Sequence, residues 1–179
     1  PDLAIFPLGN MLSELEKAHR SFYYVFLNKN NIPSPNFLEK IPPMNDIIMI
    51  GYPNGIWDQR HNLPIIRKGI TATHPKLPYC GKPEFMIDAA CFPGSSGSPV
   101  LLSYVGSYID PESNMFTAGT KILLIGVLYA GPQHTATGEI HIVNVPTANK
   151  PISVSTIPNN LGLVIQIDRV LDFERILAA

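Results

Sequence analysis

The sequence predicts an all-β fold built as a barrel or a sandwich. Three observations carry this. Short apolar, β-branched runs recur along the chain with Gly, Pro or Asn between them. Helical spacing is confined to two stretches. No linker-like composition shift and no internal repeat divides the 179 residues, of which 45% are hydrophobic, enough for a sizeable core.

In chain order, "PDLAIFPL" (1–8) is apolar and reads as a strand. In "NMLSELEKAHRSF" (10–22), Met11, Leu12, Leu15 and Ala18 fall at helical spacing behind Asn10 as N-cap. "SFYYVFL" (21–27) is aromatic and β-branched, hence strand-like, and "NKNNIPSPN" (28–36) is loop. "NDIIMIGYPNG" (45–55) is a buried strand ending in a turn. "LPIIRKGITATH" (63–74) is a strand with Gly69 inside it, which implies a bulge or a close backbone approach. "PEFMIDAACF" (83–92) and "SPVLLSYV" (98–105) are strands flanking a Gly/Ser turn, and "KILLIGVLYAG" (121–131) is a buried strand. Residues 132–160 are polar and weakly patterned except for "EIHIVNV" (139–145), a candidate strand. "LGLVIQI" (161–167) is a strand. "DRVLDFERILAA" (168–179) is a helix with Asp168 as N-cap and an apolar face of Val170, Leu171, Phe173, Ile176 and Leu177.

Composition narrows the function. The formal net charge is −1 and no Lys/Arg block occurs, so neither nucleic acid nor an anionic membrane is an expected partner. No apolar run reaches the ~18 residues of a spanning helix. The 18 prolines are about twice the usual ~5% share and sit between apolar runs, as loop punctuation. Cys80 and Cys91 form no C-x-x-C pattern. They are either small, half-buried thiols or one Cys80–Cys91 bridge. So few cysteines fit the cytoplasm slightly better than a periplasmic or secreted setting. No cofactor motif is present. The five histidines lack the spacing of a metal site, so no metal is expected.

The chemistry concentrates in "CFPGSSGSPV" (91–100). Taken alone, its Gly/Ser core is either a flexible connector or a fixed turn that presents a serine. A nucleophile elbow would need Gly at position 98 and a helix after it. A phosphate loop would need a Lys. The flanking apolar strands favour the fixed turn, because a linker rarely sits between two strands inside a domain. A pinned turn can aim the N–H groups of Gly94 and Ser96 into one pocket beside the Ser96 hydroxyl. Such an oxyanion hole contributes about 10²–10³ in rate per donor.

"GSSGSP" resembles the G-D-S-G-G-P signature of trypsin-like serine peptidases. Further stretches resemble their bacterial HtrA-like branch: "GYPNG" followed by "RKGITA", "IDAACFPGSSGSPV", and "PDLAIFPL" as the D-[LI]-A-[LV] segment. "LIGVLYAG" is similar to the strand that lines the primary specificity pocket, and "LGLVIQIDRVLDF" to the final strand and helix. The matches run in order from residue 2 to about 175, with 132–160 outside them. The resemblance implies a double Greek-key β-barrel. Residues 1–45 would be the remainder of an N-terminal barrel carrying the short helix. Residues 46–179 would be the complete C-terminal barrel with its C-terminal helix.

By the same resemblance Ser96 is the nucleophile, Gly94 and Ser96 supply the oxyanion-hole amides, and Asp2 orients the catalytic imidazole. Tyr129, Ala130 and Gly131 pair with substrate backbone. Ala90, six residues before Ser96, lies at the base of the specificity pocket, where tryptic members carry Asp. An uncharged Ala implies a small or medium apolar residue there. Ser95, Ser98 and Tyr129 depart from the usual Asp or Asn, Gly and Ser. A cysteine peptidase of this fold would need Cys at position 96, and Cys91 is five residues too early.

The family runs in the order His, Asp, Ser, and serine needs a base to take its proton. His19, His61, His74, His134 and His141 all follow Asp2, none in an A-x-H-C or A-x-H-V context. The expectation is a chain that is the back portion of a peptidase, with its histidine upstream and little turnover by itself. Losing a triad base costs on the order of 10⁶ in kcat. Its partners would be a peptide or protein substrate and either a separate N-terminal segment or a second copy. The competing function is a pseudo-peptidase whose cleft binds peptide without cleaving it.

Overall fold

The computed structural model describes residues 2–20, 23–136 and 155–177. Helix α1 spans Gly9–Lys17 and α2 spans Pro35–Lys40. Strands follow at β1 (Asp46–Gly51), β2 (Ile65–Thr71), β3 (Glu84–Asp88), β4 (Pro99–Tyr104), β5 (Ser107–Asp110), β6 (Met115–Ala118), β7 (Lys121–Ala130), β8 (Gln133–Ala136), β9 (Ser155–Pro158) and β10 (Leu161–Gln166). Helix α3 (Ile167–Leu177) ends the described chain.

Six of these strands close into one antiparallel barrel in the order β1-β2-β3-β10-β7-β4. The order is not sequential: β4 closes against β1, and β10 enters between β3 and β7. Alternation sets which face of each strand turns inward. In β1 the side chains of Ile47 and Met49 are buried while Ile48 and Ile50 are only partly covered, the period of two expected for one inward face. The barrel interior is filled by Ile47, Met49, Phe85, Ile87, Val100, Leu102, Ile125 and Val164, and Phe37 and Leu38 of α2 join the same cluster. β7 is the long central strand, paired with β4 on one edge and β10 on the other, and both ladders shift register once. Gly69 makes the close approach its position implied. A Cβ there would lie 2.7 Å from Ala89 Cβ and closer still to the Asp88 carbonyl.

Several local expectations are corrected. Residues 2–8 and 23–28 are irregular, not strands. A strand needs a partner for its ladder, and no described strand pairs with either segment. Helix α1 forms, but Leu8 is its N-cap residue, not Asn10, and no side chain caps it. None of its residues is fully buried: Met11 is exposed, and Leu12 and Leu15 are half-buried. Asp168 lies inside the first turn of α3 because the helix begins at Ile167, directly after β10 ends at Gln166. Its carboxylate instead pairs with Lys76 at 3.1 Å. Part of 132–160 is a β8–β9 hairpin, whereas the candidate strand at 139–145 lies outside the described residues.

Two elements escape the sequence reading. Helix α2 starts with Ser34 Oγ accepting from the Phe37 N–H at 2.9 Å and Pro35 in the first turn. The β5–β6 hairpin is pinned by Asp110 Oδ1, which accepts from the N–H groups of Glu112 and Ser113 at 3.0 Å each. The bond from Ser113 first, then that from Glu112 and the neighbouring Lys121, hold the Asp110 carboxyl below its usual range against the opposing effect of burial. No described helix is long and apolar enough to cross a membrane.

Candidate active site

The Gly/Ser turn joins β3 to β4 and is tied down on every side. The Gly97 N–H donates to the Leu128 carbonyl at 2.7 Å, and the Leu128 N–H donates to the Ser98 carbonyl at 3.0 Å. The Ser95 and Ser98 N–H groups donate to the Phe92 and Ser95 carbonyls. The Asn54 N–H, from the turn after β1, donates to the Pro93 carbonyl at 2.7 Å. Two glycines make the path possible. Gly94 and Gly97 sit at φ +82° and +86°, and a Cβ on Gly94 would stand 2.8 Å from the Tyr52 carbonyl. The segment is a rigid arch between two barrel strands, not a linker.

Within that arch, the N–H groups of Gly94 and Ser96 make no hydrogen bond to any described residue. They are the two donors the resemblance assigned to an oxyanion hole. Ser96 is exposed, and its hydroxyl donates to the Tyr129 carbonyl at 3.1 Å. Its neighbours Ser95 and Ser98 are buried, so the arch offers Ser96 alone of its three serines to solvent.

Ser96 stands where three cavities meet. The largest, about 580 Å³, is walled by Asp2, Leu3, Ala4 and Ile5 on one side and by Val127, Leu128, Tyr129, Val170 and Phe173 on the other. Asp2 and Ser96, placed together by the sequence, therefore share one cavity. A second cavity of about 170 Å³ is formed by Cys91, Phe92, Pro93, Leu128, Ala130 and Gly131 with Ser96. Ala130 and Gly131, expected to pair with substrate backbone, line this cavity. Cys91 lines it too, and its neighbour Ala90 is absent from the wall. The third, about 320 Å³, runs from Ser96 and Gly94 to Tyr52 and Pro64. Phe92, Val170 and Phe173 lie in stretches the sequence reading quoted, but it gave them no role at the site.

Beneath the arch lies Arg67 of β2. Its Nη1 donates to the Ala90 carbonyl, and its Nη2 donates to Ser95 Oγ at 2.8 Å. Its Nε is buried with no hydrogen-bond partner. Burial lowers the guanidinium pKa from its ordinary value, an effect Cys91 partly offsets. Burial likewise pushes the Cys91 thiol up, Arg67 pulling the other way. Cys91 and Cys80 are both free thiols, the first buried and the second exposed.

Tyr129 reaches the far side of β7. Its phenol donates to Glu84 Oε2 at 2.5 Å, and Asp2, Lys82 and Glu84 share a cavity of about 310 Å³ with it. Burial, then the bond to Glu84 and the charges of Glu84 and Asp2, push the phenol up to about 12. One residue thus touches Ser96 through its carbonyl and a buried carboxylate through its side chain. Glu84 gave no signal beyond being a lone charge at the head of an apolar strand.

No described histidine lines a cavity that Ser96 lines. His19 follows α1, exposed, with φ +51°. His74 sits in the loop after β2, its Nδ1 accepting from the Lys76 N–H. His61 Nδ1 lies 2.7 Å from Asp58 Oδ2 in the β1–β2 loop, a contact that holds the Asp58 carboxyl below its usual range. The side chain of His134 and all of His141 lie outside the described residues. No family model, no curated protein and no solved structure matches the chain.

Proposed function

We propose that the chain carries the nucleophile barrel of a trypsin-like serine endopeptidase that cleaves peptide bonds by acyl transfer through Ser96. The observation that carries this reading is the arch: an exposed hydroxyl beside two N–H groups with no internal acceptor. Gly94 and Ser96 are exposed, so their N–H groups are open to an incoming acceptor, and two such donors beside a serine hydroxyl suit an oxyanion. The non-sequential order of the barrel, with β10 between β3 and β7, is compatible with the C-terminal Greek-key barrel of that family.

In this reading Ser96 Oγ attacks the scissile carbonyl carbon and its proton passes to an imidazole base. The carbonyl oxygen becomes the oxyanion and accepts from the Gly94 and Ser96 N–H groups. Collapse breaks the C–N bond, and the imidazolium gives its proton to the leaving amine. Water then hydrolyses the acyl ester by the reverse sequence. Asp2 orients that imidazole. The Tyr129 carbonyl, free to exchange the Ser96 hydroxyl for a substrate N–H, begins the strand that Ala130 and Gly131 continue. The small cavity at Ala130 and Gly131, with no charged side chain in its wall, suits a small uncharged side chain.

A pseudo-peptidase that binds peptide in the same cleft is the second reading, favoured by the lack of any described histidine beside Ser96. A fluorophosphonate probe separates the two. On the full-length protein the expected result is a label on Ser96, located by mass spectrometry and lost in Ser96→Ala. Absence of label on a folded full-length protein supports the binding module.

A further inference from the structure

We infer that Arg67 is a positioning residue that holds the oxyanion arch in shape from beneath. The inference rests on the peptidase reading for its consequence in rate, but the brace itself rests only on geometry. One guanidinium donates to the Ala90 carbonyl at the foot of the arch and to Ser95 Oγ, one residue before Ser96. Between those two points lie Cys91, Phe92, Pro93 and Gly94, including the φ +82° residue whose N–H is a proposed oxyanion donor.

The chemistry explains why an arginine stands there. Its donors form a rigid planar fork, so fixing one acceptor fixes the direction of the other. A lysine is a point donor and cannot hold both separations at once. Ser95 is 1% exposed, which leaves its hydroxyl oxygen dependent on Arg67 for a donor. Ser95 stands where the resembling family has Asp or Asn. Here a neutral acceptor meets a charged donor supplied from β2. Arg67 Nε has no partner, so burying this cation carries a cost that its two bonds to the arch must offset. The fork also meets Met49 Sδ, 4.0 Å from Nη2, a weaker acceptor than either oxygen.

The test compares wild type with Arg67→Met, which keeps the aliphatic stem, and with Ser95→Ala, which removes one acceptor should Arg67→Met not fold. Two readouts are taken on the full-length protein: the rate of fluorophosphonate labelling, and hydrogen exchange of the hydrogen-bonded Ser95, Gly97 and Ser98 amides relative to β7 and β10. Arg67→Met is expected to label at least tenfold more slowly and to exchange these three amides at least tenfold faster, with β7 and β10 unchanged. Millimolar ethylguanidinium added to Arg67→Ala should restore part of the labelling, which a general loss of stability would not allow. Wild-type rates of labelling and exchange in Arg67→Met overturn the inference, as does slower labelling with unchanged exchange. If wild type itself takes no label at Ser96, the peptidase reading falls, and the exchange comparison alone decides the brace.

Discussion

At the scale of single residues, Gly94 is the most constrained position in the site. Its φ of +82° is closed to side chains, and a Cβ would press on the Tyr52 carbonyl at 2.8 Å. Gly94→Ala is expected to cost about 1–3 kcal/mol of stability in a denaturant titration. Because it turns one proposed donor away, labelling of Ser96 should fall by about 10². A second expectation concerns pH. The Tyr129 phenol is raised to about 12 by burial beside Glu84, so the folded state keeps its proton while the unfolded chain releases it near 10. Stability contributed by the neutral phenol is complete below pH 10 and is lost as pH rises from 10 toward 12. Thermal melts across that range should show a steeper alkaline decline in wild type than in Tyr129→Phe. Parallel declines would show that the phenol does not matter. The thiols give a third. Cys80, exposed, should alkylate in the native protein, and Cys91 only on unfolding, its thiol buried and its pKa raised. Mass-resolved alkylation with and without urea reads both.

At the scale of elements, the sequence revealed what is periodic and missed what is tertiary. β1, β2, β3, β4, β7 and β10 announce themselves by alternating or continuous apolar runs, and all six enter the barrel. Residues 2–8 and 23–28 show equally good strand composition yet stay irregular, since composition cannot say whether a ladder partner exists. Helix α2 is six residues long, too short for a 3.6-residue period, and only Ser34-Pro35 marked its start. In the site, the Gly94–Ser96 arch was legible because its glycines and serines are contiguous. Arg67 and Glu84 were not, because they reach the site from β2 and β3 across sequence gaps that only folding closes. Gly126 tests the central ladder. A Cβ there would strike the Ile165 carbonyl and lie 2.6 Å from Val164 Cγ1, where β7 meets β10. Gly126→Ala should cost about 1–3 kcal/mol, read from the denaturant midpoint at unchanged m-value. A neutral substitution would mean that β7 and β10 stand further apart.

At the scale of the whole molecule, the barrel interior is well packed, while the segment before it, like the β5–β6 hairpin with Ile109 and Phe116, exposes apolar side chains. Ile5, Phe6, Leu8 and Met11 are exposed, as are Tyr23, Val25, Phe26 and Leu27, with Phe6 at 74% and Tyr23 at 91%. Apolar surface on this scale favours association with another chain or copy. Removing residues 1–27 should leave a cooperatively folding barrel that binds less hydrophobic dye and sediments as a smaller species. The same deletion removes Asp2 and one wall of the largest cavity, so labelling of Ser96 should weaken with it. The barrel nevertheless keeps the arch, and the arch holds the claim on which the functional reading depends. The most direct measurement is a crystal structure of the full-length protein phosphonylated on Ser96. The expected geometry puts one phosphonyl oxygen about 2.7–3.1 Å from both the Gly94 and Ser96 nitrogens. An adduct whose oxygen points to solvent, with both N–H groups turned elsewhere, would contradict it.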